Sequence, residues 1–413
     1  MNLIKTSFYT SISTAITFIS GFIVVKVVAV KIGPKGIAFV GQFQNTTAIL
    51  TMLATAAIAT GVIKYLAEHK SDPEKSQQII STAFLIVFFS SLIISVFVIS
   101  TSVYLSEAAF KTKDFWLVYF LFGLFTMVIS FNVMFLAILN GLKEIRKFTI
   151  VNICSSVTGV GLTVLFTYAW SIEGVLIAST ATAIIIFFIN VYFFNKLGIR
   201  WKPDFKSWDK RVAKMLSGFS LMAIVSGFVA PTMQILVRDR IITQFSIADA
   251  GYWQAVTKIS DYYLSFISSV LGVYYMPRLS ELKSKSELRQ EIKSGYKIIL
   301  PIVGGIALLI WLFKDMIIQI LFTPTFLPMK PLFTFQLLGD FFKIGSWLLA
   351  FLMIAKAMTK TYITTEIIFA ASYVAFSYYF MNHYGIIGAT YSFCLNYFLY
   401  WILMWILMKK QIF

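Results

Sequence analysis

Charge is what this chain has least of. Asp, Glu, Lys and Arg make up 13% of its 413 residues, about half the share of an average soluble domain, and that scarcity excludes an ordinary water-facing surface. Histidine is almost missing as well. His69 and His383 read as separate loop residues, so no ligand cluster for a metal is expected. The two cysteines, Cys154 and Cys394, both fall inside apolar runs, which predicts buried free thiols and no disulfide. No glycine-rich phosphate loop is present, which excludes nucleotide-driven transport within this chain, and no cofactor is expected. No Ser/His/Asp set is spaced for nucleophilic catalysis, and no polar stretch is long enough for a separate soluble domain.

What is present is apolar sequence. Hydrophobic residues make up 59% of the chain, and runs of about 20 residues, the length that crosses ~30 Å of hydrocarbon, recur from end to end. The N-terminal run lacks a small-residue cleavage site and reads as an uncleaved first span. The pattern predicts an all-α integral membrane protein of about twelve transmembrane helices, near residues 6–32, 36–66, 78–104, 115–140, 148–170, 173–195, 215–243, 248–276, 295–322, 331–356, 361–382 and 386–408. Gly33-Pro34 stops the first, and a very short turn at Ser171 joins the fifth to the sixth.

Basic residues outnumber acidic ones, 35 to 18. They gather in short loops and are not interleaved into a polar domain, which favours membrane orientation over nucleic-acid binding. Assigning both termini and the even-numbered links to one side places 24 of the 35 there, so both termini are expected in the cytoplasm.

The chain also repeats. Ser71-Asp72-Pro73-Glu74 and Ser286-Glu287-Leu288-Arg289 hold matching places before spans three and nine. Gly141-Leu142-Lys143 and Lys356-Ala357-Met358 follow spans four and ten, and Glu173-Gly174-Val175 and Ile387-Gly388-Ala389 open spans six and twelve. The spacing is nearly constant and each repeat holds an even number of spans. This predicts two six-helix lobes, 1–200 and 201–413, in a parallel internal repeat with any substrate site between them.

Charges inside spans are costly and call for a reason. Lys258 and Asp261, and likewise Asp340 and Lys343, are spaced i,i+3 and can pair on one helix face. Lys26 lies about two turns inside the outer end of span one. Lys64 sits near the inner end of span two, and Arg238, Asp239 and Arg240 at the outer end of span seven. Trp253 and Gln254 can offer a sugar stacking and hydrogen bonds. The plainer alternatives are structural ion pairs, snorkelling stems and helix packing. Taken together, the second-half charges and Lys26 suit an anionic substrate such as a pyrophosphate. Pro231 and Pro301 fall inside spans seven and nine, where they can kink or hinge them.

Several motifs stand in order along the whole chain: Lys26 with Gly33-Pro34-Lys35-Gly36, Gly61-Val62-Ile63-Lys64-Tyr65, Gly251-Tyr252-Trp253-Gln254, Ser260-Asp261-Tyr262-Tyr263-Leu264, Tyr275-Met276-Pro277-Arg278-Leu279-Ser280, and Phe335-Gln336-Leu337-Leu338-Gly339-Asp340 with Lys343. With these the sequence resembles the Wzx-type flippases of lipid-linked oligosaccharides, in the polysaccharide-transporter branch of the multidrug/oligosaccharidyl-lipid/polysaccharide exporter superfamily. It is most similar to members that move enterobacterial common antigen lipid III and O-antigen units. It departs from them at Asp239, where a plainer basic pair is usual.

The resemblance implies a MATE-like pair of lobes that moves an undecaprenyl-pyrophosphate-linked oligosaccharide across the bacterial inner membrane by alternating access. Lys26, Lys64, Arg238, Arg240, Trp253, Gln254, Lys258 and Lys343 would then bind substrate, and Asp239, Asp261 and Asp340 would couple ions or gate. Membrane lipid and the polymerase and chain-length regulator of the same pathway are the implied partners, with no nucleic acid. The rivals are an organic-cation exporter of the same superfamily, an O-antigen polymerase-type enzyme and a scaffold for the polymerase machinery. Surplus Lys and Arg argue against the first, and short outer links and the repeat against the second.

Overall fold

The computed structural model describes residues 3–199, 201, 208–218, 220–282, 284–356 and 358–412. Arg200 and residues 202–207, in the polar link expected at 196–214, lie outside the described residues, as do Lys283 and Ala357 in later links.

Helices account for nearly all described residues, and among them there is no strand. The first six are α1 (Leu3–Lys31), α2 (Pro34–Ala54), α3 (Ala59–Glu68), α4 (Pro73–Ser100), α5 (Ser102–Phe110) and α6 (Trp116–Gly141). They lead into α7 (Ile145–Lys196), which is 52 residues long. Then follow α8 (Lys210–Ser217), α9 (Ser220–Gln244), α10 (Ile247–Val270), a π-helical turn at Leu271–Tyr275 and α11 (Met276–Glu281). The chain ends with α12 (Lys285–Leu312), α13 (Lys314–Leu321), α14 (Leu332–Ala355), α15 (Thr359–Tyr384) and α16 (Gly388–Ile412).

Among the described residues seven stretches are long and apolar enough to cross a membrane, or eight when the bent pair α2–α3 counts as one. Two of them, Ile145–Lys196 and Thr359–Lys409, are double. α7 leaves helical geometry at Trp170 and Ser171, and α15 and α16 are parted by Gly385 at φ +68°. Two more helices, α9 and α10, have 25 and 24 residues, or roughly 36 Å at 1.5 Å per residue, enough to cross ~30 Å of hydrocarbon. The described residues thus hold twelve spans.

Helix boundaries follow local chemistry. Pro73 occupies the first turn of α4, and Asp72 accepts from the Lys75 amide at 3.0 Å, satisfying a donor the helix leaves open. Asp209 caps α8 in the same way, accepting from Arg211 and Val212. The turn inside α7 needs a glycine. A Cβ on Gly174 would meet the Phe166 carbonyl at 1.9 Å, and one on Gly388 would meet Phe380 at 2.4 Å. These are the two glycines that mark the repeat in sequence.

Among the described residues several expected spans are not continuous, span three parting into α4 and α5 at Thr101. Span two breaks at Thr55–Ile58, where Ala56 and Ala57 both hold positive φ and α2 and α3 meet at 50°. Ser90 of α4 donates to the Ala54 carbonyl at 2.6 Å there, so a side chain replaces a backbone partner lost at the break. Span eight passes into the π-helical turn at Leu271–Tyr275, and span nine parts into α12 and α13 at Phe313. His69 and His383 belong to helix ends instead of loops, and each ring nitrogen contacts the carbonyl four residues back. Pro231 and Pro301 do lie inside helices. Cys154 is only half-buried, whereas Cys394 is buried, and both thiols are free.

The chain forms two compact units, Met1–Ile32 with Phe39–Pro231, and Gly33–Ala38 with Thr232–Phe413. The first is centred on Val62, Leu66, Phe84, Met134, Phe135 and Phe194, with a buried Asn190–Asn132 hydrogen bond of 2.9 Å. The second is centred on Leu271, Leu279, Ile344, Leu348, Leu352 and Met404. Large apolar side chains such as Ile93, Leu165, Phe188 and Ile406 lie more than 60% exposed. In water that would be costly, and against lipid it is the expected surface.

Candidate functional site

Five of the charged residues singled out in the second half, Arg238, Lys258, Asp261, Asp340 and Lys343, lie near one another within the second unit. Their frame is α10. Ser246 caps it reciprocally, accepting from the Asp249 amide at 3.0 Å and donating to the Asp249 carboxylate at 2.6 Å. One turn on, Gly251 lies against the Pro34 carbonyl, where a Cβ would come within 2.0 Å. Two sequence motifs, Gly33-Pro34-Lys35-Gly36 and Gly251-Tyr252-Trp253-Gln254, therefore meet backbone to backbone. The next turn is driven inward, and Trp253 and Gln254 are each only 2% exposed.

Both residues face Arg238 of α9. The Arg238 guanidinium is fully buried, donates to the Gln254 side-chain oxygen and lies 5.5 Å from the centre of the Trp253 ring. A buried cation needs hydrogen bonds and neighbouring opposite charge, and the carboxylate within its electrostatic reach is Asp261, on α10. Asp261 also stands within reach of Lys258 and of Lys343 on α14. Three cations thus have Asp261 as an acidic neighbour, through electrostatics and not through a direct ion pair.

Asp340 has a different setting. It is fully buried and accepts from the Tyr263 hydroxyl at 2.7 Å and from Gln336 at 3.4 Å. Lys343, expected as its i,i+3 partner, is an electrostatic neighbour. The Lys343 ammonium lies over the rings of Trp347, Tyr397 and Phe393 at 5.1, 5.4 and 5.6 Å, contacts that stabilise a desolvated cation.

The remaining candidates lie elsewhere. Arg240 donates to Asn382 at 2.7 Å and stacks over Tyr378 at 5.0 Å, so it ties α9 to the end of α15. Asp239 is half-buried beside it, and its backbone carbonyl accepts from Thr243. Lys26 is half-buried on α1, in the first unit. Lys64 is exposed on α3, 3.7 Å from Glu68 and 5.2 Å from the Tyr65 ring.

Three members of the cluster were not foreseen. Tyr263 and Gln336 lie inside motifs noted in the sequence, but only their contact with Asp340 marks them. Glu366, on α15, faces Lys343 and the hydroxyls of Tyr397 and Tyr400. It was legible as an ionisable residue within an apolar span. Among the described residues no three His, Cys, Asp or Glu side chains converge in the manner of a metal site.

The described residues are all-helical, with buried charges in the second unit, and their fold is that of solved transporters of the MOP superfamily. It superposes on a multidrug resistance MATE family transporter of that superfamily, captured in an inward-facing conformation, with a TM-score of 0.79 over 96% of this chain and 94% of the other, at 14% identity. The chain belongs to the polysaccharide biosynthesis protein family, whose model matches residues 3–283. It is 30% identical to the Lipid III flippase of Escherichia coli (strain K12), over 97% of this chain and 96% of that one. It is also 23% identical to a putative O-antigen transporter of Shigella flexneri, over 95% and 94% of the two chains.

Proposed function

We propose that this protein is a flippase for lipid-linked oligosaccharides, a carrier and not an enzyme. Its cargo is an undecaprenyl-pyrophosphate-linked repeat unit of the O-antigen or enterobacterial common antigen type, moved from the cytoplasmic to the periplasmic leaflet of the inner membrane. Both termini are cytoplasmic, residues 1–200 and 201–413 act as two lobes in alternating access, and a polymerase and chain-length regulator receive the product.

The observation that carries this reading is Asp261 standing among Arg238, Lys258 and Lys343. With Asp340 and Glu366 included, three cations face three carboxylates, and the formal charges cancel. Such a cluster has little to offer an anion until a carboxylate is neutralised. Protonation of Asp261 or Asp340 leaves excess positive charge in a low-dielectric site, where a pyrophosphate is the complementary ligand. Proton entry and substrate binding are then linked through the same lysines. Arg238 is held by Gln254 and Trp253, so Lys258 and Lys343 are the cations that change partner. Lys26, Arg240, Lys64 and Asp239 serve the pathway outside this cluster.

The test is complementation of a flippase-null strain, scored by return of surface polysaccharide with expression checked for every variant. Wild type restores it, and Asp261→Asn, Asp340→Asn and Lys343→Ala do not. Normal export by both Asp→Asn variants refutes the coupling. Failure of wild type together with efflux of organic cations assigns the chain to the exporters whose fold it shares.

A further inference from the structure

The second unit also carries an apolar groove that the charge cluster does not use. It is about 560 Å³ in volume, within the ~300–1,000 Å³ of small-molecule sites. Its walls are Phe335 and Phe342 of α14, Phe380 of α15, and Tyr391, Leu395 and Phe398 of α16. The rings form a continuous wall, with Phe335 against Tyr391 at 4.3 Å and Phe342 against Phe398 at 5.1 Å. Phe398 is 41% exposed. Apart from Tyr384, at the end of α15, the lining residues lie within spans.

Its position identifies its occupant. Phe342 immediately precedes Lys343, and Cys394, which also lines the groove, follows Phe393, whose ring lies beneath the Lys343 ammonium. Along α14 and α16, residues of the charge cluster and of the aromatic groove are therefore immediate chain neighbours. A ligand with an anionic head and a hydrocarbon chain matches both. A phosphate drawn to Lys343 sets down its chain within a residue or two of Phe342 and Cys394. Rigid rings lose little entropy on binding a flexible chain, and their faces accept methyl branches without demanding a polar partner. We infer that this groove seats the proximal part of the cargo lipid's hydrocarbon chain while its pyrophosphate exchanges for a carboxylate at Lys343. This rests on the flippase reading and adds a second recognition element, for the chain rather than the head.

The experiment uses the full-length protein in proteoliposomes with two sugar-bearing pyrophosphate esters, one of a long polyprenol and a short-chain probe that carries only a methyl group, and follows flipping of each. Leu395→Trp fills the groove, and Phe342→Ala with Phe398→Ala widens it. Each is expected to raise the half-saturating concentration of the long-chain probe at least tenfold and to leave the short-chain probe within twofold of wild type. Equal effects on both probes, or none on either, overturn the groove. Flipping of neither probe by wild type overturns the flippase reading instead.

A second readout needs no substitution. A diazirine placed near the pyrophosphate end of the long chain is expected to label wild-type residues 335–342 and 391–398, in competition with unlabelled cargo. Labelling elsewhere, or equal labelling by a diazirine phospholipid that cargo does not displace, shows a general lipid contact and overturns the proposal.

Discussion

The bond between Arg238 and Gln254 gives a quantitative test of how the charge cluster is held. Gln254→Leu removes the acceptor with little change in volume and leaves a fully buried guanidinium one hydrogen bond short. Hydrogen bonds to charged groups are worth about 1.5–3 kcal/mol in soluble proteins. Interhelical hydrogen bonds in membranes average about 0.6 kcal/mol and reach about 1.7. The membrane average is low because the unfolded chain in the membrane also finds partners, but a charged donor strengthens the bond and Arg238 is fully buried in the fold. The upper end therefore applies, about 1.5–2 kcal/mol. Arg238→Met removes the charge, after which Gln254→Leu costs little more. Equilibrium unfolding of the full chain in mixed detergent micelles, run on wild type, both single variants and the double, should give a coupling of that size. Losses that add to within about 0.5 kcal/mol, as independent sites do, would refute the account of Arg238 as fixed by Gln254 and return it to the pool of mobile cations.

Tyr263→Phe takes the hydroxyl from Asp340 and should cost about 1–2 kcal/mol in the same unfolding assay. Asp340→Asn keeps an acceptor there and should cost less while abolishing transport, so equal stability losses would contradict the assigned contact. Glu366→Gln removes one of three carboxylates facing the cluster, and is expected to shift the pH dependence of flipping while leaving expression and thermal stability near wild type. An unchanged profile would make Glu366 a packing residue. Gly251→Ala drives a methyl into the Pro34 carbonyl, 2.0 Å from its Cβ, and should destabilise by about 1–3 kcal/mol as other overpacked sites do. A silent substitution would mean that the Gly33-Pro34 turn is not seated on α10.

The fold was legible because hydrocarbon imposes one rule on the whole chain. Backbone groups must be satisfied within a helix, so twenty apolar residues mean a span. Gly174 and Gly388, which hold matching places in the sequence, each stand where a hairpin admits no Cβ. The break at Ala56 and Ala57 was hidden, because neither residue advertises positive φ, and its support, Ser90, lies 36 residues away from the carbonyl it binds. The site divides along the same line. Cost alone marks an ionisable residue in a span, so Asp261, Asp340, Lys258 and Lys343 could be found from the sequence. Spacing suggested that each acid serves the lysine three residues away. In the fold, burial leaves Asp340 with a phenol and an amide as its hydrogen-bond partners, and Asp261 stands among cations from three helices. Residue spacing along one helix can propose a pair, but a desolvated charge takes whatever partners all its packed neighbours present. Those neighbours are set by close approaches such as Gly251 on Pro34, which no periodicity encodes.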